Sequence, residues 1–166
     1  MPPIDKPARE GRPDSLVHIV LHGDAAGHSH VPNQQRDREQ AIHDLRIGSH
    51  FAPVALTGPF ILHLSVEGGR LVLEVRDVHE RVLRVFVFAL SPFRRLIKDY
   101  QLLVESYENA MTDGHPSRLH SIDMGRRGLH NEGAELIIER LRGKIDVDFE
   151  TARRLFTLVC ILHRRI

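Results

Sequence analysis

The hydrophobic pattern changes its period at Pro92, and this change limits the possible folds more than any other feature. Before it, residues 60–66, 70–75 and 82–90 form short runs rich in β-branched and aromatic side chains, which predict three strands. Glu67-Gly68-Gly69 joins the first two runs and predicts a tight hairpin, because glycine readily adopts a positive φ. The third run is apolar on both faces, so we expect both faces to be covered.

After Pro92, apolar side chains recur at steps of three and four, which predicts one long amphipathic helix. These side chains are Phe93, Leu96, Ile97, Tyr100, Leu103, Val104, Tyr107 and Met111. Gly114 and Pro116 predict its end. The pattern predicts a last helix from about Asp148 to His163. We expect this helix to be central, because it is apolar nearly all round.

The N-terminal part completes the predicted fold. Residues 1–14 are rich in proline and charge and predict a disordered tail. Residues 15–21 predict a strand, and a helix capped by Asn33 is expected to end near Gly48. Residues 15–166 are therefore predicted to form one α+β domain. It would have a small antiparallel sheet of three to four strands packed against three to four helices.

Composition argues against several classes of protein. The 23 basic and 22 acidic residues give a net charge of +1, whereas a general nucleic-acid binder normally shows a basic surface. No apolar run approaches the roughly 20 residues of a membrane span. The single cysteine, Cys160, excludes an intramolecular disulfide and a cysteine metal cage. Since residues 1–14 do not resemble a secretory signal, we expect a cytoplasmic protein.

Residues 122–131, I-D-M-G-R-R-G-L-H-N, crowd polar side chains between glycines and predict a functional site. If residues 117–142 form one continuous helix, Arg126 lies on its buried side and needs a partner, since burying a lone charge costs on the order of several kcal/mol. If the helix instead breaks at residues 124–128, a second helix begins near Asn131, a competent N-cap. We favour the break, because each glycine inside a helix costs about 1 kcal/mol.

The broken helix predicts an anion pocket. The free N–H groups of a helix N-terminus attract anions, and the guanidinium groups of Arg126 and Arg127 match carboxylate or phosphate. Asn131 would be the cap, and His130 and Asp123 would lie within reach of the ligand. The alternative is that Asp123, Glu132 or a distant carboxylate pairs with the two arginines and merely stabilises the helix junction.

Two further arginine pairs lie near predicted helix N-termini, where positive charge is unfavourable unless an acidic group compensates. They are Arg94 and Arg95, followed by Lys98, and Arg153 and Arg154. One acidic partner shared with Arg126 and Arg127 would explain all three pairs. The alternative is local neutralisation by Asp99, Asp146, Asp148 and Glu150.

Metal and enzyme sites are weaker hypotheses. The loop with His22, Asp24, His28 and His30 has enough ligands for Zn²⁺ or Ni²⁺, but its spacing matches no established site. We therefore expect no metal and no cofactor. His130 and Glu132 could act as general acid and base, yet no nucleophile or phosphate-loop motif frames them, so an enzyme is not favoured.

Five blocks of sequence together resemble one bacterial family. They are DREQAIHDL at residues 37–45, LSPFRRLIKDY at 90–100, ESY at 105–107, IDMGRRGLHNEG at 122–133 and TARRLFTLVCILHRR at 151–165. The family is the uncharacterised protein family 0262, and the resemblance runs from about residue 37 to the C-terminus. It implies no activity, cofactor or catalytic residue. A cysteine is common at position 104 in the family, and Val104 removes any thiol role here.

The sequence thus predicts a small cytoplasmic binding or regulatory module. Its ligand would be a phosphorylated or carboxylated small molecule or an acidic protein surface, held by Arg126 and Arg127. An enzyme that uses His130 and Glu132 on an anionic substrate is the second hypothesis. A homodimer completed by the apolar last helix is the third.

Overall fold

A four-stranded sheet and four helices form most of the computed structural model, which describes residues 11–23 and 32–163. The strands are β1 (Leu16–Leu21), β2 (Phe51–Pro53), β3 (Phe60–Glu67), β4 (Arg70–Arg76), β5 (Val82–Ala89) and β6 (Ile145–Val147). The helices are α1 (Pro32–Gly48), α2 (Arg94–Asp113), α3 (Pro116–Leu141) and α4 (Phe149–Leu162), with a short 3₁₀ turn at Ser91–Phe93. The α+β prediction is confirmed.

The main sheet has the order β1-β3-β4-β5 and is mixed. Strand β1 runs parallel to β3, while β3–β4 and β4–β5 are antiparallel. The prediction of an antiparallel sheet is therefore wrong for one pair. Parallel neighbours need a long crossover connection, and the segment that contains α1 supplies it. Strands β2 and β6 form a separate antiparallel pair.

The hairpin between β3 and β4 is confirmed. Its two turn residues, Gly68 and Gly69, have φ values of +57° and +73°, which favour glycine. The prediction that β5 is covered on both faces is wrong. Phe88 is buried on the inner face, but Val85 and Val87 on the other face are each 49% exposed.

The last helix, α4, is the central helix, as predicted. The Asp148 side chain accepts a hydrogen bond from the Thr151 amide and begins the helix. Its residues 155–161 are all buried, and α4 contacts α1, α2 and α3. Because the chain's own helices cover this apolar surface, α4 does not offer a face for a second copy. The predicted basis for a homodimer is therefore wrong.

Helix α3 is continuous, so the predicted break at residues 124–128 is wrong and the alternative of one helix is confirmed. Ile122, Leu129 and Ile137 are buried along one side, and their packing outweighs a glycine cost of about 1 kcal/mol each. Asn131 consequently lies exposed in the middle of the helix and is not an N-cap.

The N-terminal segment meets the domain at residues 13 and 14. The Pro13 carbonyl accepts a hydrogen bond from the Gly58 amide at 2.7 Å, and the Asp14 carbonyl accepts one from Phe51 at 2.7 Å. Residues 1–10 of the predicted tail and the Asn33 side chain lie outside the described part of the chain. None of the helices described here combines the length and the apolar character that crossing a bilayer requires.

Candidate functional site

Helices α1, α3 and α4 meet around an open cleft of about 340 Å³. Its lining residues are Asp37, Gln40 and Ala41 of α1, Asp123, Arg126, Arg127 and His130 of α3, and Arg153, Arg154 and Thr157 of α4. Within each helix the lining residues lie three or four positions apart, or directly next to a residue with that spacing. They therefore share one face of the helix. The cleft therefore unites two of the three arginine pairs.

Arg126 is bound to a carboxylate of its own chain. Its guanidinium forms an ion pair with Asp37, and the two side chains are only 28% and 18% exposed. Burial lowers the pKa of Arg126, but the Asp37 carboxylate outweighs this effect and the pKa is raised. Asp37 also accepts a hydrogen bond from the Tyr100 hydroxyl at 3.2 Å. This ion pair is the distant carboxylate that the alternative interpretation required for Arg126.

The other three arginines differ in how fully they are paired. Arg154 lies 3.0 Å from Asp44 and 3.6 Å from Glu150. Arg153 has a distant contact, 3.7 Å, with Glu150, and within residues 11–23 and 32–163 its buried Nε has no hydrogen-bond partner. Arg127 is exposed, and no acidic side chain in the described ranges forms an ion pair with it. Arg127 and Arg153 therefore keep donors for a ligand.

The lining of the cleft carries a net positive formal charge. Four arginines and two aspartates line the cleft, which gives a formal charge of +4 − 2 = +2. Asp44 and Glu150, which do not line it, offset part of this charge at Arg154. The positive charge that remains is concentrated at Arg127 and Arg153.

His130 lies in the wall of the cleft as a neutral ring. The ring packs perpendicular to the rings of Tyr100 and Phe156, with centroids 5.8 and 5.9 Å away. Burial lowers its pKa to about 4. Nδ1 lies 2.8 Å from the Arg126 carbonyl oxygen, which can only accept, so Nδ1 carries the proton. Nε2 is then a hydrogen-bond acceptor.

His130 and Glu132 do not form an acid–base pair. Residues two apart on a helix do not face each other, and Glu132 does not line the cleft. Glu132 instead contacts Arg95 at 2.8 Å. The interpretation of these two residues as a joint catalytic site is therefore wrong.

The remaining predicted site residues lie elsewhere. Arg94 and Arg95 are exposed on α2 and do not line the cleft, and Arg95 pairs with Asp99 at 3.3 Å. A single partner for all three arginine pairs is consequently excluded. The alternative of local neutralisation is correct for Asp99, which pairs with Arg95, and for Glu150, which lies near Arg154. Asp146 contacts His50 instead. Asn131 does not line the cleft either.

The acidic residues of α1 were missed by the sequence analysis. Asp37, Gln40 and Asp44 follow helical spacing, so the sequence does show that they share a face of α1. It does not show which helix that face meets. This pairing of helices depends on tertiary contacts far apart in the chain.

The predicted histidine loop is only partly described. His22 Nε2 lies 2.6 Å from His63 Nδ1, and His63 Nε2 lies 3.0 Å from Glu80. Asp24, His28 and His30 lie outside the described residues. Within residues 11–23 and 32–163, no group of three His, Cys, Asp or Glu side chains is arranged to hold a metal ion.

Comparisons with known proteins give consistent results. A family model described as "Uncharacterised protein family (UPF0262)" matches residues 13–165, a longer span than the five blocks. A UPF0262 protein of Granulibacter bethesdensis is 51% identical over 160 residues, which cover 91% of this chain and 90% of that protein. A UPF0262 protein of Acidiphilium cryptum is 53% identical over 154 residues, covering 90% and 93%. No solved structure matches the chain significantly.

Proposed function

Because the chain belongs to the uncharacterised protein family UPF0262, whose description assigns no activity, we propose its function from the geometry of the cleft. The proposed function of the cleft is to bind a small phosphorylated or carboxylated molecule. The protein would act as a binding or regulatory module. Arg127 and Arg153 would hold the anion, with Arg126 and Arg154 kept in place by Asp37 and Asp44.

The observation that carries this proposal is the Nε of Arg153. This donor is buried and has no acceptor among the residues that the structure describes, while its side chain lines an open cleft. A buried donor without a partner costs about 1–3 kcal/mol, so an acceptor from outside the chain would recover free energy. The Nε and Nη groups of an arginine form a fork that matches two oxygens of a phosphate or carboxylate.

The ion pair of Arg126 supports a positioning role for that residue. Asp37 fixes the guanidinium, and Arg126 offers its backbone carbonyl to His130. Its charge still contributes to the potential in the cleft. His130 Nε2 is an acceptor, so a ligand with a hydroxyl group or a protonated phosphate oxygen would complement it.

The size of the cleft supports a small ligand. A volume of about 340 Å³ is at the lower end of sites that take small molecules, which run from about 300 to 1,000 Å³. A compact metabolite with one or two anionic groups would fit such a volume. An extended polyanion would reach beyond the four arginines.

The proposal is tested by thermal unfolding of the purified chain with inorganic phosphate, pyrophosphate or citrate at matched ionic strength. We expect at least one of these probes to stabilise the wild-type protein. At a ligand concentration ten times Kd, binding adds about 1.4 kcal/mol to the free energy of unfolding. Arg127→Ala with Arg153→Ala should lose this stabilisation.

Arg118→Ala is the matched control. Arg118 is an exposed arginine on the same helix and does not line the cleft. Removing it changes the net charge but not the site, so stabilisation by the probe should persist. Arg153→Lys provides a finer test, because lysine keeps the charge and removes the fork. If the double variant responds to every probe as the wild type does, the cleft is not an anion site.

A further inference from the structure

Asp123 is an exposed acidic residue in a cleft that is otherwise rich in arginine. It lies one helical turn before Arg127, at a spacing that permits an ion pair. Within residues 11–23 and 32–163, however, no basic side chain forms an ion pair with it, and Arg126 pairs with Asp37 instead. Because an unpaired carboxylate repels a bare anion, Asp123 indicates that the ligand offers more than negative charge.

His130 offers a second acceptor to the cleft. Its Nδ1 donates to a backbone carbonyl at 2.8 Å, which leaves a lone pair on Nε2. Two hydroxyl groups of the surrounding helices are already committed. Tyr100 donates to Asp37 at 3.2 Å, and Thr157 donates to a backbone carbonyl of its own helix at 3.1 Å. In the part of the chain that the structure describes, Nε2 therefore has no donor.

Gln40 supplies a third acceptor. Its amide nitrogen donates to Asp44 at 2.9 Å, and because a carboxylate can only accept, this contact fixes the orientation of the amide. The carbonyl oxygen of Gln40 has no donor among the described residues, and the side chain lines the cleft. The cleft thus combines the donors of Arg127 and Arg153 with three acceptor groups that lack donors.

Building on the proposed anion site, we propose that the ligand is a hydroxylated organic anion, either a hydroxy acid or the phosphate ester of a polyol. Its charged group binds Arg127 and Arg153, and its hydroxyl groups donate to Asp123, His130 and Gln40. A bare anion would satisfy the arginines and leave the three acceptors without donors. A site built to accept from a hydroxyl group discriminates against the analogue that lacks it.

Charge favours a hydroxyl group over an ammonium group as the donor. Four arginines and two aspartates line the cleft, so its formal charge is already positive. Burial above all, together with the charges of Arg126 and Arg153, lowers the pKa of His130 to about 4. The same two charges oppose an ammonium group at Nε2, whereas an uncharged hydroxyl group is not repelled.

The test compares ligands that differ in their hydroxyl groups. Succinate, malate and aspartate share one carbon skeleton and carry hydrogen, hydroxyl or ammonium at the same carbon. Propyl phosphate and glycerol 3-phosphate make the corresponding comparison for a phosphate ester. Titration calorimetry of the full chain at neutral pH and matched ionic strength gives each dissociation constant. We expect the hydroxylated member of at least one pair to bind about fivefold more tightly, because it forms a further hydrogen bond.

Asp123→Ala with Gln40→Ala removes two of the acceptors, and both residues are exposed. The hydroxylated ligand should lose most of its advantage. Its analogue without a hydroxyl group should bind at least as tightly as before, because the repulsion from Asp123 is gone. A merely structural role of the two residues would weaken both ligands alike. Asp113→Ala is the matched control, since Asp113 is an exposed aspartate on α2 that does not line the cleft, and the preference should persist.

The outcomes separate the two proposals. If none of these compounds binds, the cleft is not an anion site and both proposals fail. If the members of each pair bind equally, or aspartate binds more tightly than malate, the anion site stands and the hydroxylated ligand is overturned. A preference of unchanged size in the double variant also overturns it. A preference confined to one pair supports the proposal and identifies the ligand as a hydroxy acid or a phosphate ester.

Discussion

Gly133 of α3 lies directly against the ring of Phe156 in α4, so closely that a Cβ atom at position 133 would overlap the ring carbons. Phe156 is fully buried. Because glycine has no side chain, the two helix backbones can approach each other at this point. This contact fixes the separation of α3 and α4, and with it the distance between Arg127 and Arg153 across the cleft.

We expect Gly133→Ala to lower the free energy of unfolding. The added methyl group must displace a buried ring or separate two helices, and overpacking of this kind costs about 1–3 kcal/mol. Urea unfolding followed by circular dichroism measures the change. The response to anionic probes should also weaken, because the arginines of the two helices move apart.

Gly128→Ala is the matched control on the same helix. A Cβ at position 128 would meet no heavy atom within 4 Å. Alanine favours a helix over glycine by about 1 kcal/mol, so this variant should be more stable than wild type. If both alanine variants destabilise equally, helix propensity and not the Phe156 contact explains the effect at 133.

The sequence predicted the local structure well because its signals are local. The Gly68-Gly69 turn and the end of α2 at Gly114 follow from short-range pattern and backbone preference. The break in α3 failed because Gly125 and Gly128 were weighed by intrinsic propensity alone. Packing along Ile122 and Leu129 overrides that propensity, and such tertiary contacts are not visible in a single sequence.

The same limit applies to the cleft. The sequence identified Arg126 and Arg127, and helical spacing could place Asp123 and His130 beside them. It could not show that Asp37, in a helix 89 positions earlier, pairs with Arg126. The apolar pattern of α4 predicted that this helix is buried. It did not show which residues lie next to Arg153 and Arg154, the two arginines of α4 that line the cleft.

Asp37→Asn should destabilise the protein by about 2 kcal/mol. The substitution leaves the guanidinium of Arg126 without its carboxylate in a site that is largely shielded from water. Losing one partner of a buried pair costs about 3–5 kcal/mol, and the partial exposure here reduces this value. Chemical denaturation measures the loss.

A double-mutant cycle with Arg126→Met isolates the pair. Because the second substitution removes the unpaired charge, Asp37→Asn with Arg126→Met should be less destabilising than the sum of the single variants. Asp99→Asn is the control, since its pair with Arg95 is exposed and should contribute less than about 1 kcal/mol. Strict additivity at Asp37 and Arg126 would contradict a direct interaction.

His130 should make the stability fall as the pH is lowered. Burial brings its pKa to about 4 in the folded protein, below the ordinary 6.5. Between these values the unfolded chain binds a proton that the folded chain does not, so acid favours unfolding. The full effect is on the order of 3 kcal/mol at 1.36 kcal/mol per pKa unit.

Urea unfolding at intervals from pH 7 to pH 4 measures this dependence. His130→Leu has no group to titrate and should show a shallower fall over the same interval. His115→Leu is the control, because His115 is exposed. An unchanged slope in His130→Leu would show that position 130 does not cause the acid sensitivity.

His50 should produce the opposite slope at higher pH. Its Nδ1 lies 2.6 Å from Asp14 and its Nε2 2.8 Å from Asp146, and only the protonated ring can donate to both carboxylates. Burial lowers the pKa of His50, but the hydrogen bonds to Asp146 and Asp14 outweigh it, so the pKa is raised above 6.5.

The raised pKa of His50 means that protonation stabilises the folded state. Its contribution is fully present below pH 6.5 and is lost as the pH rises through the folded pKa. Urea unfolding from pH 6 to pH 9 should therefore show a decline in wild type that His50→Gln lacks. The wild-type curve would then have a maximum near pH 6.5, with His130 responsible for the acid side and His50 for the alkaline side. Equal alkaline slopes in wild type and His50→Gln would show that the bridge between Asp14 and Asp146 does not stabilise the fold.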